Sequence, residues 1–229
     1  MKVEIWSDIV CPFCYIGKRR FENALNKFSA KEEVEVVWKS YQLDPTVQHI
    51  PGMSIHQYLA ERKGFGVEQA KEMNEHVTAM AAEVGLQYDF GKTVVANTFD
   101  AHRLIHLAAK HDLQDQAEER LFSAYFTEGK NIQDKLTLVE LGVEIGLTKE
   151  DVLKVLDSGA FANDVRKDFA EAQKVGARGV PFFVFNEKYA VSGAQPTEMF
   201  LQVLEKVREE EVPVEELSGN YCDPEEECK

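Results

Sequence analysis

The sequence predicts an α/β protein in which a large helical block interrupts a small β-α-β-α-β-β-α unit. Two regions support this prediction: a strand–helix–strand pattern within the first 40 residues, and a pair of short strands over residues 182–192. Between them, residues 54–174 have helical periodicity almost throughout. The composition is that of a globular protein, since 44% of the 229 residues are hydrophobic and 29% are charged.

The N-terminal unit begins with a short apolar strand over residues 3–7. The motif Cys11-Pro12-Phe13-Cys14 follows, and a helical pattern then extends from Tyr15 to about Phe28. A second β-branched and aromatic run occupies residues 34–38. Because a strand–helix–strand connection normally joins parallel neighbours by a right-handed crossover, we expect these two strands to pair in parallel.

The helical block begins at Ser54, after a Pro-Gly loop. Glycines at positions 64, 66, 85, 129 and 146 are expected to divide it into five or six helices. Asn97 and Thr98 precede one of these helices, and Thr137 and Thr148 are candidate N-caps for two more.

The C-terminal unit contains an aromatic strand over residues 182–185, a turn, a strand over 189–192 and an amphipathic helix over 196–208. Removing the helical block leaves the minimal topology of the thioredoxin fold. We therefore predict a thioredoxin-like domain formed by residues 1–50 and 160–210, an inserted helical subdomain over 51–159, and an acidic tail over 211–229.

The two N-terminal cysteines are a candidate redox centre. A strand, a turn and a helix place Cys11 at a helix N-terminus, where free N–H groups and the helix dipole stabilise a thiolate. The thiolate attacks disulfides, and Cys14 is close enough to release the resulting mixed disulfide. Half a zinc site or two inert buried thiols are the alternatives; residues 15–48 supply no further Cys or His ligand for zinc.

The segment Gly179-Val180-Pro181 precedes the aromatic strand, where a proline lies at a bend because it cannot donate to the ladder. In this topology the bend faces the C-x-x-C turn. Most X–Pro bonds are trans, but next to a dithiol we expect a cis bond that leaves the Val180 backbone free to bind an extended substrate.

The chain resembles the DsbA-like thioredoxin-fold oxidoreductases, in particular their cytoplasmic FrnE-like branch, which is related to 2-hydroxychromene-2-carboxylate isomerases. The resemblance implies a thioredoxin fold with a helical insertion, a redox dithiol at Cys11 and Cys14, and a cis Val180–Pro181 bond. Four motifs spread over nearly the whole chain carry it: Ser7-Asp8-Ile9-Val10-Cys11-Pro12-Phe13-Cys14, Tyr41-Gln42-Leu43-Asp44-Pro45, Asn97-Thr98-Phe99-Asp100-Ala101-His102-Arg103-Leu104, and Gly179-Val180-Pro181 with Ser192-Gly193-Ala194-Gln195.

One residue departs from the periplasmic relatives, which carry a histidine between the cysteines. This chain has Phe13 there. Without the extra hydrogen-bond donor the thiolate is less stabilised, so we expect a less oxidising couple.

Three further residues are assigned by position. Asp8 either assists proton transfer or, as we favour, caps its own turn. Asn97 and His102 are expected to line the substrate cleft, as the resemblance suggests, while also beginning a helix whose apolar side is core. His102 and His106 are four residues apart, but no third ligand is evident, so we predict no metal site.

A second cysteine pair, Cys222 and Cys228, lies in an acidic C-terminal segment. Neighbouring carboxylates disfavour thiolates, so these residues are poor nucleophiles when reduced. As a disulfide, they would be an internal exchange partner for Cys11; the alternative is that they take no part in the reaction.

The net charge of −14 argues against nucleic-acid or anionic-membrane partners. The N-terminal sequence shows no apolar signal segment, and we expect a cytoplasmic protein. The predicted function is thiol–disulfide exchange on proteins or small thiols, with no required cofactor and with glutathione as a candidate redox partner. A glutathione-dependent isomerase and a chaperone-like binding module are the alternatives.

Overall fold

A computed structural model describes residues 1–211 as a four-stranded sheet surrounded by helices. The strands are β1 (Lys2–Ser7), β2 (Glu35–Ser40), β3 (Phe182–Phe185) and β4 (Tyr189–Ser192). The helices of the described residues are α1 (Pro12–Lys27), α2 (Ile55–Lys63), α3 (Val67–Glu83), α4 (Phe99–Ala109), α5 (Gln114–Phe126), α6 (Lys135–Glu144), α7 (Lys149–Leu156), α8 (Ala162–Lys174) and α9 (Thr197–Glu211).

The sheet has the strand order β2-β1-β3-β4. β1 and β2 run parallel, with Ile5 opposite Trp38, which confirms the predicted pairing. β3 is antiparallel to β1 and places Phe183 opposite Ile5, and β4 returns from it as a hairpin. This is the predicted thioredoxin fold.

Both faces of β3 are buried, which explains its uninterrupted apolar sequence. On one face Phe183 packs against Phe21 of α1 and Phe200 of α9. On the other face Phe182 packs edge-on against Trp6. The Trp6 indole N–H donates to the backbone oxygen of Asp168 at 2.9 Å, which joins α8 to the sheet.

The helical block contains seven helices between residues 55 and 174, so the expected count of five or six is wrong. At two of the helix boundaries the residue with positive φ is not a glycine. Asp112 (φ 58°) lies between α4 and α5, and Phe161 (φ 59°) precedes α8. The predicted start at Ser54 and the predicted cap Thr148 are confirmed, because each side chain accepts a backbone N–H at the beginning of its helix. Thr137 lies inside α6 instead.

The cap of α6 is Asp134, whose carboxylate accepts the backbone N–H of Thr137 at 2.8 Å. Aspartate ranks above threonine as an N-cap residue, in agreement with a cap at Asp134 and not at Thr137.

The two halves of the molecule meet at the start of α1. Ile9, Cys11, Cys14 and Ile16 belong to the same buried cluster as the apolar side chains of the helical block. The remainder of α1 packs against the sheet and α9. The predicted domain boundaries stay a prediction. Within residues 1–211, no helix combines the length and hydrophobicity needed to cross a bilayer.

Candidate active site

The dithiol lies at the N-terminus of α1. Cys11 is the N-cap residue, and its backbone N–H donates to the carbonyl of Asp8 at 2.9 Å, which closes the turn after β1. Pro12 occupies the first helical position, where its missing N–H leaves no bond unmade. The N–H of Cys14 donates to the carbonyl of Cys11 at 3.0 Å. Strand, turn and helix therefore present both thiols at one helix end, as predicted.

The Cys11 thiol faces the loop before β3. Its Sγ lies 3.4 Å from the carbonyl oxygen of Val180, and the Val180–Pro181 bond is cis. Gly17 of α1 allows this approach, because a Cβ there would lie only 3.0 Å from Pro181 Cγ. The backbone of Val180 is thus next to the thiol that a substrate must reach.

The Cys14 thiol is enclosed. The residue is only 1% exposed, and burial raises the pKa of its thiol well above the ordinary value. The neighbouring Cys11 thiol adds to this rise, whereas the Asp8 backbone and the Ser7 hydroxyl oppose it. At neutral pH Cys14 is therefore a protonated thiol.

An apolar cavity of about 680 Å³ opens beside Cys11. Cys11 lines it, but Cys14 does not. Phe13 and Met73 at this cavity are 39% and 51% exposed, so part of its apolar surface faces solvent. Its other apolar lining residues include Leu43, Ile55, Phe90 and Val180.

Tyr88 stabilises the turn and was not found by sequence reasoning. Its hydroxyl donates to the carbonyl of Pro12 at 2.7 Å. The Tyr88 ring also stacks on Phe126 of α5, with 4.5 Å between ring centroids. Tyr88 lies in the loop after α3, where no periodic pattern marks a functional residue.

Asp8 is buried behind the dithiol. Its Oδ2 accepts the backbone N–H of Leu43 at 2.7 Å, so the side chain does not cap its own turn as we expected. The carboxylate instead joins the turn to the segment that leaves β2. Its other oxygen, Oδ1, lies 3.4 Å from Nε2 of His102.

Glu118 of α5 is a second buried acid in this region and was also missed. It is 1% exposed, and burial raises the pKa of its carboxyl to about 8. Lys18 lowers this pKa, while Asp115 and Asp8 raise it further. Glu118 is at a helical spacing of three and four residues from Leu121 and Phe122, so the apolar periodicity of α5 already marks it as inward-facing.

The two residues assigned to the cleft occupy different places. Asn97 donates to the carbonyls of Pro45 and Val47 at 3.2 and 2.9 Å, and it lines a separate cavity of about 630 Å³. His102 is 1% exposed and faces Asp8. Their placement therefore does not support direct contact with a substrate at the dithiol.

The remaining site predictions concern metal ligands and the tail. His106 lies 3.0 Å from Asp168 and 3.1 Å from the hydroxyl of Ser40, so it belongs to a different buried network from His102. In the described part of the chain, no group of three or more Cys, His or acidic residues is arranged to hold a metal ion. Cys222 and Cys228 lie outside the described residues, and their role stays a prediction.

Comparison with known proteins places this site in a family. Residues 2–205 match the DSBA-like thioredoxin domain. The chain belongs to the DsbA-like thioredoxin domain family. A probable DsbA oxidoreductase from Streptomyces coelicolor is 40% identical, with a TM-score of 0.88 over 98% of this chain and 97% of that one. This DsbA-like protein is therefore an enzyme of the thiol–disulfide oxidoreductase class.

Two more distant solved structures share the fold. The cytosolic disulfide reductase DsbM of Pseudomonas aeruginosa, solved with glutathione, is 18% identical, with a TM-score of 0.65 over 91% of this DsbA-like chain and 100% of DsbM. A 2-hydroxychromene-2-carboxylate isomerase is 12% identical, with a TM-score of 0.65 over 92% of this chain and 98% of the isomerase. Both likenesses show that these proteins share the fold of this chain.

Proposed function

We propose that the protein exchanges disulfides of extended polypeptides through the C-P-F-C dithiol, with Cys11 as nucleophile and Cys14 as resolving thiol. The unequal surroundings of the two thiols are the observation that carries this proposal. Both residues are buried, with Cys11 4% and Cys14 1% exposed, but Cys11 lines an open cavity at a helix N-terminus and Cys14 does not. A substrate disulfide reaches only the first thiol, and the second is positioned to attack the mixed disulfide that forms.

The substrate class follows from the surface around Cys11. A mostly apolar cavity favours apolar side chains flanking a substrate disulfide, and the Val180 backbone offers hydrogen bonds to an extended strand. Asn97 and His102 are not assigned to this surface.

We further propose glutathione as a redox partner and the cytoplasm as the compartment. The glutathione-bound, cytosolic DsbM neighbour supports both assignments. The net charge of −14 favours protein and small-thiol partners over nucleic acid and anionic membranes.

The test is reduction of insulin by dithiothreitol, followed as turbidity, with the full-length protein and its Cys11→Ser variant. The proposal predicts acceleration by the parent protein and none by the variant. Unchanged acceleration by Cys11→Ser would refute it. If the parent has no reductase activity but suppresses aggregation of an unfolded protein, and Cys11→Ser does so equally, the chaperone-like alternative is favoured. Glutathione-dependent isomerisation retained in Cys11→Ser would favour the isomerase.

A further inference from the structure

A second large cavity lies at the carboxyl end of the edge strand β2. Its volume is about 630 Å³, which is typical of a small-molecule site, and neither cysteine of the dithiol lines it. Ser40 ends β2 at this cavity, and the N–H of the next residue, Tyr41, donates to the carbonyl of Ser7 at 2.9 Å. In open α/β sheets, ligands bind outside the carboxyl ends of the strands. The proposed disulfide exchange does not use this cavity.

Three aromatic side chains form much of the apolar lining of this cavity. Tyr41 follows β2, Phe99 begins α4 and Phe169 lies on α8, and each of them is half-buried. The rings of Tyr41 and Phe169 contact each other, with 5.1 Å between their centroids and 39° between their planes. Aromatic rings pack well against other flat groups. The exposed part of these rings therefore favours a planar aromatic ligand.

Arg166 of α8 gives the same cavity a positive charge. Its guanidinium lies 5.8 Å from the centroid of the Phe99 ring and donates to Oδ1 of Asn163 at 3.0 Å. Within residues 1–211 it has no carboxylate partner, whereas the adjacent Lys167 pairs with Glu171 at 3.7 Å. A guanidinium binds a carboxylate or a phosphate through two parallel hydrogen bonds. Arg166 is therefore available to an anionic ligand.

The acid that lines the cavity does not cancel this charge. Asp100 is that residue, and its Oδ1 accepts a hydrogen bond from the guanidinium of Arg103 at 2.7 Å. Arg103 is only 4% exposed, so the charge of Asp100 is matched by a buried cation of its own. The charge of Arg166 thus remains unmatched in this cavity, although the whole protein carries a net charge of −14.

Hydrogen bonds within the protein fix the polar wall of the cavity. The side chain of Asn97 donates to the carbonyls of Pro45 and Val47 at 3.2 and 2.9 Å. The amide oxygen of Gln133 accepts the backbone N–H groups of Asn97 and His49 at 2.9 and 3.1 Å. These bonds join the loop after β2 to the segments before α4 and α6. Because the wall is already ordered, binding of a ligand costs less conformational entropy.

We propose that this cavity binds a small planar aromatic anion, with its ring against Tyr41 and Phe169 and its carboxylate or phosphate at Arg166. The amide of Gln48, which also lines the cavity, offers a hydrogen-bond donor and an acceptor to polar atoms of the ring. Binding involves no reaction at the dithiol, so this proposal stands apart from the proposed exchange function.

A reporter thiol at the cavity tests the proposal. The full-length protein carries Gln48→Cys together with Cys11→Ser, Cys14→Ser, Cys222→Ser and Cys228→Ser, so that the introduced thiol alone reacts with N-ethylmaleimide. The alkylation rate is measured at pH 7 against the concentration of indole-3-carboxylate, and separately of adenosine monophosphate. Because a ligand in such a cavity covers its walls, we expect saturating probe to slow alkylation by at least about threefold. We expect a Kd below about 1 mM for at least one probe.

The chain offers a matched control for the charge. Arg166→Gln should weaken binding of the anionic probe by about fivefold or more, because it removes a charge-assisted hydrogen bond. Lys167→Gln removes the same charge from the next residue of α8, which lines a different cavity, and should change the Kd less than about twofold. Neutral indole-3-carboxamide has nearly the same shape as indole-3-carboxylate and should bind more weakly, with little dependence on Arg166.

The two probes distinguish the sources of the anion. Protection mainly by indole-3-carboxylate identifies a carboxylate ligand, and protection mainly by adenosine monophosphate identifies a phosphate. Protection by neither probe, equal binding of the carboxamide, or equal weakening by Arg166→Gln and Lys167→Gln would overturn the proposal. If the Gln48→Cys protein does not fold, saturation-transfer NMR of both probes with the parent protein and Arg166→Gln gives the same comparison. Absent transfer in the parent, or equal transfer in both proteins, would also overturn it.

Discussion

Replacement of the buried carboxyl of Glu118 by an amide should stabilise the protein at neutral pH. The carboxyl is 1% exposed and one of its oxygens has no partner, so its ionised form is strongly disfavoured in the fold. Glutamine has nearly the same shape and cannot ionise. Lys18 is not left unpaired by Glu118→Gln, because its ion-pair partners are other residues, among them Asp115 and Glu119 at 3.1 and 3.2 Å.

The magnitude follows from the pKa of Glu118, which is about 8 in the folded chain against an ordinary value of 4.5. Below the ordinary value the carboxyl is protonated in both states and its full contribution to stability is present. As pH rises, the unfolded chain ionises first, so that contribution is lost up to about pH 8. With about 1.4 kcal/mol per pKa unit, the glutamine variant should gain about 3 kcal/mol over the parent between pH 5 and pH 8.

Guanidinium unfolding of both proteins at several pH values measures this gain. Glu119→Gln on the same helix is the matched control with the opposite sign. Burial alone would raise the pKa of Glu119, but the Tyr15 hydrogen bond and the charges of Lys18 and Arg19 lower it. Glu119 thus adds stability above its ordinary pKa that is lost in acid, so its amide variant should be less stable at neutral pH. Parallel pH profiles for Glu118→Gln and the parent would refute the reasoning.

Three further predictions concern the dithiol and its surroundings. Phe13→His should raise the reduction potential by about 30–60 mV, because an imidazole stabilises the thiolate; equilibration with glutathione buffers measures this, and an unchanged or lower potential contradicts it. Gly17→Val should cost about 1–3 kcal/mol of stability, because even a Cβ at Gly17 would lie 3.0 Å from Pro181 Cγ. Chemical denaturation checks it, and full stability would show that the loop moves freely. If the tail thiols exchange with Cys11, the double change Cys222→Ser/Cys228→Ser should lower turnover in the insulin assay or shift the reduction potential of the Cys11–Cys14 couple. If neither the turnover nor the potential changes, the tail thiols do not take part in the exchange.

The sheet was predictable from local sequence, while the division of the helical block was not. Strands β3 and β4 occupy the predicted residues because an aromatic run and a short turn define a buried hairpin. Asp112 and Phe161 both adopt positive φ at helix breaks, where a glycine signal was expected. Aspartate is among the residues enriched at positive φ, so Asp112 offered a weak sequence signal, whereas the side chain of Phe161 offered none.

In the site, the thiols and Pro181 were predictable because each belongs to a short motif of neighbouring residues. The contacts of Asp8 were not predictable in this way. Its partners, Leu43 and His102, come from other elements and are brought together only by the fold. The burial of Glu118 could have been predicted from the sequence, because this residue lies on the apolar side of α5.

The central claim is that Cys11 alone attacks the substrate and Cys14 resolves the product. Its most direct test is the full-length Cys14→Ser variant, incubated with insulin and digested without reduction for mass spectrometry. We predict a stable mixed disulfide between insulin and Cys11, because with Cys14 replaced the described residues hold no second thiol that could resolve it. An adduct mainly at Cys222 or Cys228, or none, would contradict the account.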